Sequence, residues 1–361
     1  MAHDTLQLQA KMRDLFAGPF PGHAIWMDPE GQIRLIEANG GHGDFTVSDR
    51  PVGEWLGWAL ENYERKLAWH EAVGDDAIPY VKLSTGTQLF AAAFGCPVHQ
   101  YDDDNPCARP IVSTAAEADR LETPSLDDPP LARVFELGRL VRERVGPEVP
   151  IGVPDIQSAL DIAALIWRKE DLLLALITDP DAVNRLAAKC QRLLIAFFHR
   201  FRQELGVVNY CHCPYGWAPP EQGVWLSEDE AGAISTRMFD RFCLPGLVEL
   251  SETFGGLFVH CCANADHQYG SFRRIPNLRG INRVFQEPGP QPAIDAFSGH
   301  TVLMQAWTAL PDVLAMLEMA RPNTRFLFNM PAQPLDDARR TLEALREACA
   351  RHEASFEEQT P

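Results

Sequence analysis

The sequence has no apolar run that reaches the ~18 residues of a membrane-spanning helix, and its basic residues are few for its acidic content. Lys and Arg number 32 against 50 Asp and Glu, so the formal net charge is -18. Because such a chain repels phosphate backbones and anionic lipids, these absences argue against nucleic acid and membranes as partners. Internal repeats and low-complexity segments are also lacking.

A secretion signal is missing as well. Residues 1–13 hold an acid and scattered polar side chains where a signal needs an apolar core. The nine cysteines are odd in number and scattered, unlike the cysteines of a disulfide framework. We therefore expect a cytoplasmic protein whose cysteines are reduced thiols.

The second half of the chain alternates between strand and helix patterns. The predicted strands begin the alternation at residues 150–153 and continue at 207–211, 257–259, 280–284, 301–307 and 325–329. This rhythm predicts a parallel sheet with right-handed crossovers, and roughly six to eight such units favour a closed barrel over an open sheet. The predicted fold is α/β, a (β/α)8 TIM barrel over residues 76–361.

The first 75 residues predict an α+β extension that packs on the barrel. Residues 24–27 form a short apolar strand pattern, and residues 32–37 alternate as its hairpin partner. Residues 51–70 place Trp55, Leu56 and Ala59 on one stripe, which is typical of an amphipathic helix.

Polar residues and cysteines stand at the ends of the predicted strands, where α/β barrels carry their chemistry. The residues in such positions are Asp155, Gln157, Cys211, His212, Cys213, His260, Cys262, Asn282, Gln305, Trp307 and Asn329. Each alone has an ordinary structural alternative, since Asp155 also suits a helix N-cap and the glutamines suit satisfied core amides. Their number is greater than a structural barrel needs, and it predicts a site at this end.

One stretch, residues 257–264, runs from a buried strand into residues that bind metals. Side chains alternate along a strand, so His260 and Cys262 are expected to point one way and Cys261 the other. A His and a Cys so placed suit a borderline-soft cation such as zinc, but supply only two of the three or four ligands required. The alternative is a core cysteine pair beside a histidine that bonds to backbone.

Taken together, four segments resemble the uroporphyrinogen decarboxylase superfamily, which includes cobalamin-dependent methyltransferases that act on coenzyme M. The segments are residues 154–163 (PDIQSALDIA), 179–183 (DPDAV), 234–245 (ISTRMFDRFCLP) and 260–264 (HCCAN). Their order and spacing fit over about residues 75–352. The resemblance implies an (α/β)8 barrel, in agreement with the strand–helix rhythm.

The sequence departs from the family in two places. The decarboxylases carry arginines near the stretch that corresponds to residues 25–31, and a histidine near the last strand; this chain has neither. The methyltransferases bind zinc through His-x-Cys, matched here by His260 and Cys262, and a late cysteine that would fall near Phe328 and is missing. Cys213 is the first candidate for the third ligand, with Cys211 and Asp266 as others.

The resemblance leaves three functions open. The first is a methyl or alkyl transferase that uses a zinc-activated thiol and a corrinoid carried by a separate protein. The second is a metal-independent decarboxylase or lyase for a small organic acid, with Asp155 and His260 in acid–base roles and Asn264 and Gln305 as their hydrogen-bonding partners. Gln157 is a further candidate catalytic residue. The third is a non-catalytic binding barrel. The residues expected to contact a small-molecule substrate are Gln305, Trp307, Asn264, Trp217 and Tyr215. The family also implies a homodimer.

Overall fold

The computed structural model describes residues 2–357 apart from residues 19, 21, 30–43, 102–104, 215, 284, 286–287 and 307. Its described strands are β1 (Ala24–Met27), β2 (Val81–Lys82), β3 (Val98–His99), β4 (Cys107–Ala108), β5 (Ile151–Gly152), β6 (Val208–Asn209), β7 (Val224–Ser227), β8 (Leu257–Cys261), β9 (Leu278–Arg283), β10 (Val302–Ala306) and β11 (Phe326–Met330). A parallel sheet has the order β1-β11-β10-β9-β8-β7, and a second has the order β2-β5-β6. The pair β3–β4 is antiparallel and lies apart.

Backbone hydrogen bonds join the two parallel sheets at two places. Ahead of β2, Asp76 N donates to Ile25 O of β1 at 3.0 Å. Beyond β5, Ser158 N donates to Ser227 O of β7 at 2.7 Å, and Gln157 forms a parallel bridge with Ser227. The two sheets are thus linked at β1 and at β7, in agreement with the predicted TIM barrel.

Helices surround the strands, as the crossover connections require. They are α1 (Ala2–Ala17), α2 (Leu56–Val73), α3 (Leu89–Ala93), α4 (Ala115–Arg120), α5 (Leu131–Val145), α6 (Ala159–Ile166), α7 (Lys169–Thr178), α8 (Pro180–Leu205), α9 (Thr236–Phe242), α10 (Leu244–Phe254), α11 (Tyr269–Phe272), α12 (Gln291–Phe297), α13 (Leu310–Met319) and α14 (Leu335–Glu357). Among the helices so described, none combines the length and apolarity needed to cross a bilayer.

Hydroxyl caps start the helices that follow the site strands. Ser158 Oγ accepts from Asp161 N at the start of α6, and Ser235 Oγ accepts from Met238 N at the start of α9. Pro180 occupies the first turn of α8, as its fixed φ favours. Asp179 does not cap that helix, because its carboxylate accepts from Thr178 Oγ1 at 2.7 Å instead.

The N-terminal segment contributes one strand to the six-stranded parallel sheet. Strand β1 pairs in parallel with β11, with Ala24 beside Leu327 and Met27 beside Met330. The proposed hairpin partner at residues 32–37 lies outside the described residues. Helix α1 packs at the amino-terminal ends of the strands, where Phe16 meets Phe258 edge-on at 4.9 Å between ring centroids.

Candidate metal centre at the barrel mouth

Strand β8 delivers His260 to the carboxyl-terminal mouth of the barrel. Leu257, Phe258 and Val259 are fully buried, and His260 itself is buried. Cys261 is turned away from His260, and its thiol donates to Ala263 O at 3.6 Å. Cys262 is exposed, and its Sγ lies 2.7 Å from His260 Nε2. The imidazole and the Cys262 thiol therefore form a neighbouring pair of donor atoms at the strand end.

A carboxylate from the next strand completes a group of three. Asp229 follows β7 by two residues, and its Oδ1 accepts from Cys262 N at 2.6 Å. The ligand atoms of Asp229, His260 and Cys262 all lie within 4.8 Å of one another. Nitrogen, sulfur and oxygen donors at a mouth that keeps one side open are the set that a catalytic zinc uses.

The orientation of the His260 ring is fixed by Asn282 on β9. His260 Nδ1 lies 2.5 Å from Asn282 Oδ1, and the Asn282 amide nitrogen donates to Met304 O at 2.7 Å. Because that amide nitrogen is committed to a carbonyl, its oxygen must face the ring and accept from Nδ1–H. The Nε2 lone pair is then directed toward Cys262, as metal-binding histidines require.

Asp161 on α6 holds the loop that carries Asp229. Its carboxylate oxygens accept from Asp229 N at 2.8 Å and from Glu230 N at 2.9 Å. The neighbouring Glu228 is fully enclosed, and burial raises its pKa to about 8. Burial likewise raises the pKa of Asp161, with the Glu228 charge adding to the effect. The loop that carries Asp229 is therefore held in place by the buried Asp161 carboxylate.

Asp229 was not among the residues singled out from the sequence. It lies in a run of three acidic residues, Glu228 to Glu230, a pattern typical of a solvent-exposed loop. The run has no spacing that is typical of metal ligands. Of the candidates named for the third ligand, Cys213 lies beside the group of three, whereas Cys211 and Asp266 have other partners. Cys213 Sγ is 3.7 Å from His260 Nε2, next to the group of three. Cys211 donates its thiol to Pro214 O at 3.2 Å, and Asp266 pairs with the buried Arg283 at 3.1 Å.

A second set of titratable groups lies beside the first. Lys82 Nζ donates to His212 O at 2.9 Å, and Asp155 Oδ1 lies 3.6 Å from His212 Nδ1. Gln157 donates to the same Asp155 oxygen at 2.6 Å. Burial lowers the pKa of Lys82 to about 8 and raises the pKa of Asp155. Because Cys213 directly follows His212 and reaches His260, both sets face one mouth.

Sequence reasoning also missed Lys82. A lone lysine in a short strand pattern is usually solvent-exposed, and no neighbour in sequence marks this one. Its inward position becomes apparent only from its contact with His212, 130 residues along the chain.

The expected substrate residues occupy different environments. Gln305 is buried and donates to Ala306 O at 3.3 Å and to Thr308 Oγ1. Trp217 is buried, whereas Asn264 is exposed. Tyr215 and Trp307 lie outside the described residues.

Comparison with known proteins agrees with this architecture. Among solved structures, the chain is similar to a methyltransferase from Methanosarcina mazei, with a TM-score of 0.66 and 16% identity over 94% of this chain and 98% of that chain. No curated protein sequence gives a significant match. The family model for uroporphyrinogen decarboxylase (URO-D) matches residues 65–281, which is more than half of the chain and includes Asp229, His260 and Cys262. The chain therefore belongs to the uroporphyrinogen decarboxylase family.

Proposed function

We propose that this protein is a methyl or alkyl transferase that holds zinc through Asp229, His260 and Cys262. The observation that carries the proposal is the convergence of an oxygen, a nitrogen and a sulfur donor within 4.8 Å at the barrel mouth. Zinc in this position would hold a substrate thiol as the thiolate at neutral pH and so make it a nucleophile. The methyltransferase among the similar structures supports this reading.

The chain's own groups suit a cation at this point. Burial, with Asp229 and Asp155 adding their negative charge, raises the pKa of Cys262 to about 11. Without a cation, this thiol stays protonated near neutral pH, and the carboxylate beside it has no opposite charge within the group. A divalent cation would neutralise Asp229 and favour the thiolate of Cys262, while three protein ligands leave one position for substrate.

We further propose that the group to be transferred is carried by a corrinoid on a separate protein. The described residues form one barrel with its surrounding helices and leave no second core for such a cofactor. Because Cys262 is exposed, a large partner could reach a substrate sulfur held beside it. The thiol substrate would then react with the corrinoid of the separate protein at the mouth of the barrel and not inside it.

Metal analysis of the purified protein tests the zinc proposal. We expect about one zinc per chain, as a three-ligand catalytic site would bind, and its loss in Cys262→Ser and in the isosteric Asp229→Asn. Cys107→Ser is the matched control, because Cys107 lies on β4 and is not one of the three proposed ligands; it should retain zinc. Zinc-free wild type after zinc-supplemented expression, or full zinc in Cys262→Ser, would contradict the assignment.

A metal-independent decarboxylase or lyase is the second candidate, and the contacts around Lys82 favour it. A lysine with a pKa lowered to about 8 beside a carboxyl with a raised pKa is suited to proton transfer. This function predicts activity on a small organic acid that survives chelation and Cys262→Ser but is lost in Lys82→Met. A barrel that binds no zinc and shows neither activity would be the third alternative, a binding protein.

A further inference from the structure

A cavity of about 570 Å³ opens between helices α1, α2 and α14. Its wall comes from α1, from the end of α2 with the segment that leads into β2, and from Arg346 on α14. The proposed metal ligands and the residues around Lys82 do not line it. Sites for small molecules enclose roughly 300–1,000 Å³, so this cavity is large enough for one small ligand.

One part of the wall is apolar. Leu8 on α1, Leu67 on α2 and Ile78 ahead of β2 line the cavity, and each is buried or half-buried. Ala77 and Pro79 extend the same surface. The hydrocarbon part of a ligand gains by leaving water against such a surface. The rest of the wall is polar, and its charges decide which ligand fits.

Most of the charged side chains around the cavity are already paired. Lys11 Nζ lies 2.8 Å from Asp76 Oδ2, and the same oxygen accepts from Ile25 N at 2.9 Å. His70 Nδ1 lies 2.9 Å from Asp75 Oδ1. These contacts attach the segment before β2 to its neighbours, so a ligand that used their charges would have to displace a partner.

Two charged side chains of the wall have no opposite charge to pair with. Within the described part of the chain, the Glu71 carboxylate forms no hydrogen bond or ion pair. Arg346 donates to Gly74 O at 2.6 Å, which leaves its other N–H groups for a ligand. Both side chains are exposed, and they do not pair with each other. The cavity therefore offers one unmatched negative and one unmatched positive charge beside an apolar surface.

We propose that this cavity binds an α-amino acid with an apolar side chain. The ligand's carboxylate pairs with the Arg346 guanidinium and its ammonium group with Glu71, since these are the charges that the protein leaves unmatched. Its side chain lies against Leu8, Leu67 and Ile78. A ligand of single charge matches only one of the two groups, whereas a zwitterion matches both.

His70 adds a further contact for the ammonium group. Its Nδ1 faces the carboxylate of Asp75, which only accepts, so Nδ1 carries a proton. Its Nε2 has no partner among the described residues, and the side chain lines the cavity. The neutral ring can therefore accept one N–H of the ligand while Glu71 accepts another.

The cavity binds its ligand and does not transform it. Residues 74–79 precede β2, so the cavity lies toward the amino-terminal side of the strands, whereas barrel enzymes carry out their chemistry at the carboxyl-terminal ends. Zinc plays no part in this site, so amino-acid binding is independent of the proposed transferase activity.

Isothermal titration of the purified protein with phenylalanine and with leucine tests the proposal. At least one of them should bind with submillimolar affinity. Each has two matched probes that lack one charge: phenethylamine and hydrocinnamate for phenylalanine, isopentylamine and isocaproate for leucine. The singly charged probes should bind about fivefold more weakly than their amino acid, as the loss of one exposed charge pair implies. If neither amino acid binds, or if the probes bind as tightly as the amino acids, the proposal is overturned.

Two charge-neutralising variants locate the site. Glu71→Gln and Arg346→Gln should each weaken amino-acid binding about fivefold. Glu71→Gln should also lose the preference for phenylalanine over hydrocinnamate, because the carboxylate that recognises the ammonium group is gone. Since Glu71 pairs with no described residue, this variant should melt at the wild-type temperature, and its effect reports on the ligand alone.

Glu347→Gln is the matched control, because Glu347 is exposed on α14 and does not line the cavity; it should bind the amino acid as the wild type does. Cys262→Ser should do so as well, which separates this site from the metal centre. Unchanged amino-acid binding in both Glu71→Gln and Arg346→Gln, or an equal loss in Glu347→Gln, overturns the assignment.

Discussion

A buried histidine pair joins the two ends of the chain and should make stability depend on pH. Phe326 N donates to His23 Nδ1 at 3.1 Å, and His23 Nε2 lies 3.0 Å from His352 Nδ1. His352 Nε2 lies 2.9 Å from Arg321 O, which can only accept. The protons are thereby assigned: His23 donates through Nε2, His352 donates through its own Nε2, and both rings are neutral.

A further proton on either ring would remove an acceptor that the pair needs. Burial, aided by the charges of His352 and Lys11, lowers the pKa of His23 from 6.5 to about 3. Burial also lowers the pKa of His352. Glu353 lies close by, and its carboxylate accepts from His23 N at 3.2 Å. Since the unfolded chain takes up protons near pH 6.5 and the folded chain does not, stability is complete above that pH and falls as the pH drops toward 3.

The size of the effect follows from the difference in pKa. Near pH 5, about 1.5 units below the unfolded value, His23 alone should lower the free energy of unfolding by about 2 kcal/mol relative to neutral pH. Urea unfolding of the wild type and of His23→Leu at both pH values measures it. At neutral pH the variant should be less stable than the wild type, because Phe326 N loses its acceptor. On acidification, however, the free energy of unfolding of the variant should fall by about 2 kcal/mol less than that of the wild type. An equal loss in both proteins would refute the reasoning.

Two further outcomes can be stated from the structure. Gly216→Ala should lower the free energy of unfolding by about 1–3 kcal/mol, because a Cβ there would lie 1.8 Å from Trp26 Cζ3; a denaturant titration that shows no loss would contradict this contact. Asn282→Ala should weaken zinc binding by about 10- to 100-fold without unfolding the protein, because His260 loses the group that orients its ring; competition with a chromogenic chelator measures this, and unchanged affinity would remove Asn282 from the site.

The strand–helix order was predictable because each element is encoded locally. The apolar run before His260 and the serine caps at Ser158 and Ser235 each carry their signal within a few neighbouring residues. The pairing of β1 was not predictable from the sequence. A short apolar strand has the same pattern whether it pairs with the next strand or with one about 300 residues later in the chain. Only the closed ring, which depends on all the strands together, distinguishes the two.

The candidate site likewise has residues that were predictable from the sequence and residues that were not. Alternation on one strand brings His260 and Cys262 together, and this follows from a sequence of three residues. Asp229 and Lys82 reach the mouth from other strands, and their roles depend on neighbours that are distant in sequence. An acid in an acidic loop and a lysine in a short strand have common structural explanations, so single-chain patterns do not single them out.

The parallel pairing of β1 with β11 has a consequence for synthesis on the ribosome. Strand β1 emerges well before its partner at Phe326–Met330, because about 300 residues separate the two strands along the chain. One edge of β1 therefore keeps its backbone N–H and C=O groups without their final partner until β11 has been made, and contacts so distant in sequence form slowly. During that interval the nascent chain presents a strand edge of the kind that recruits chaperones or pairs with other chains.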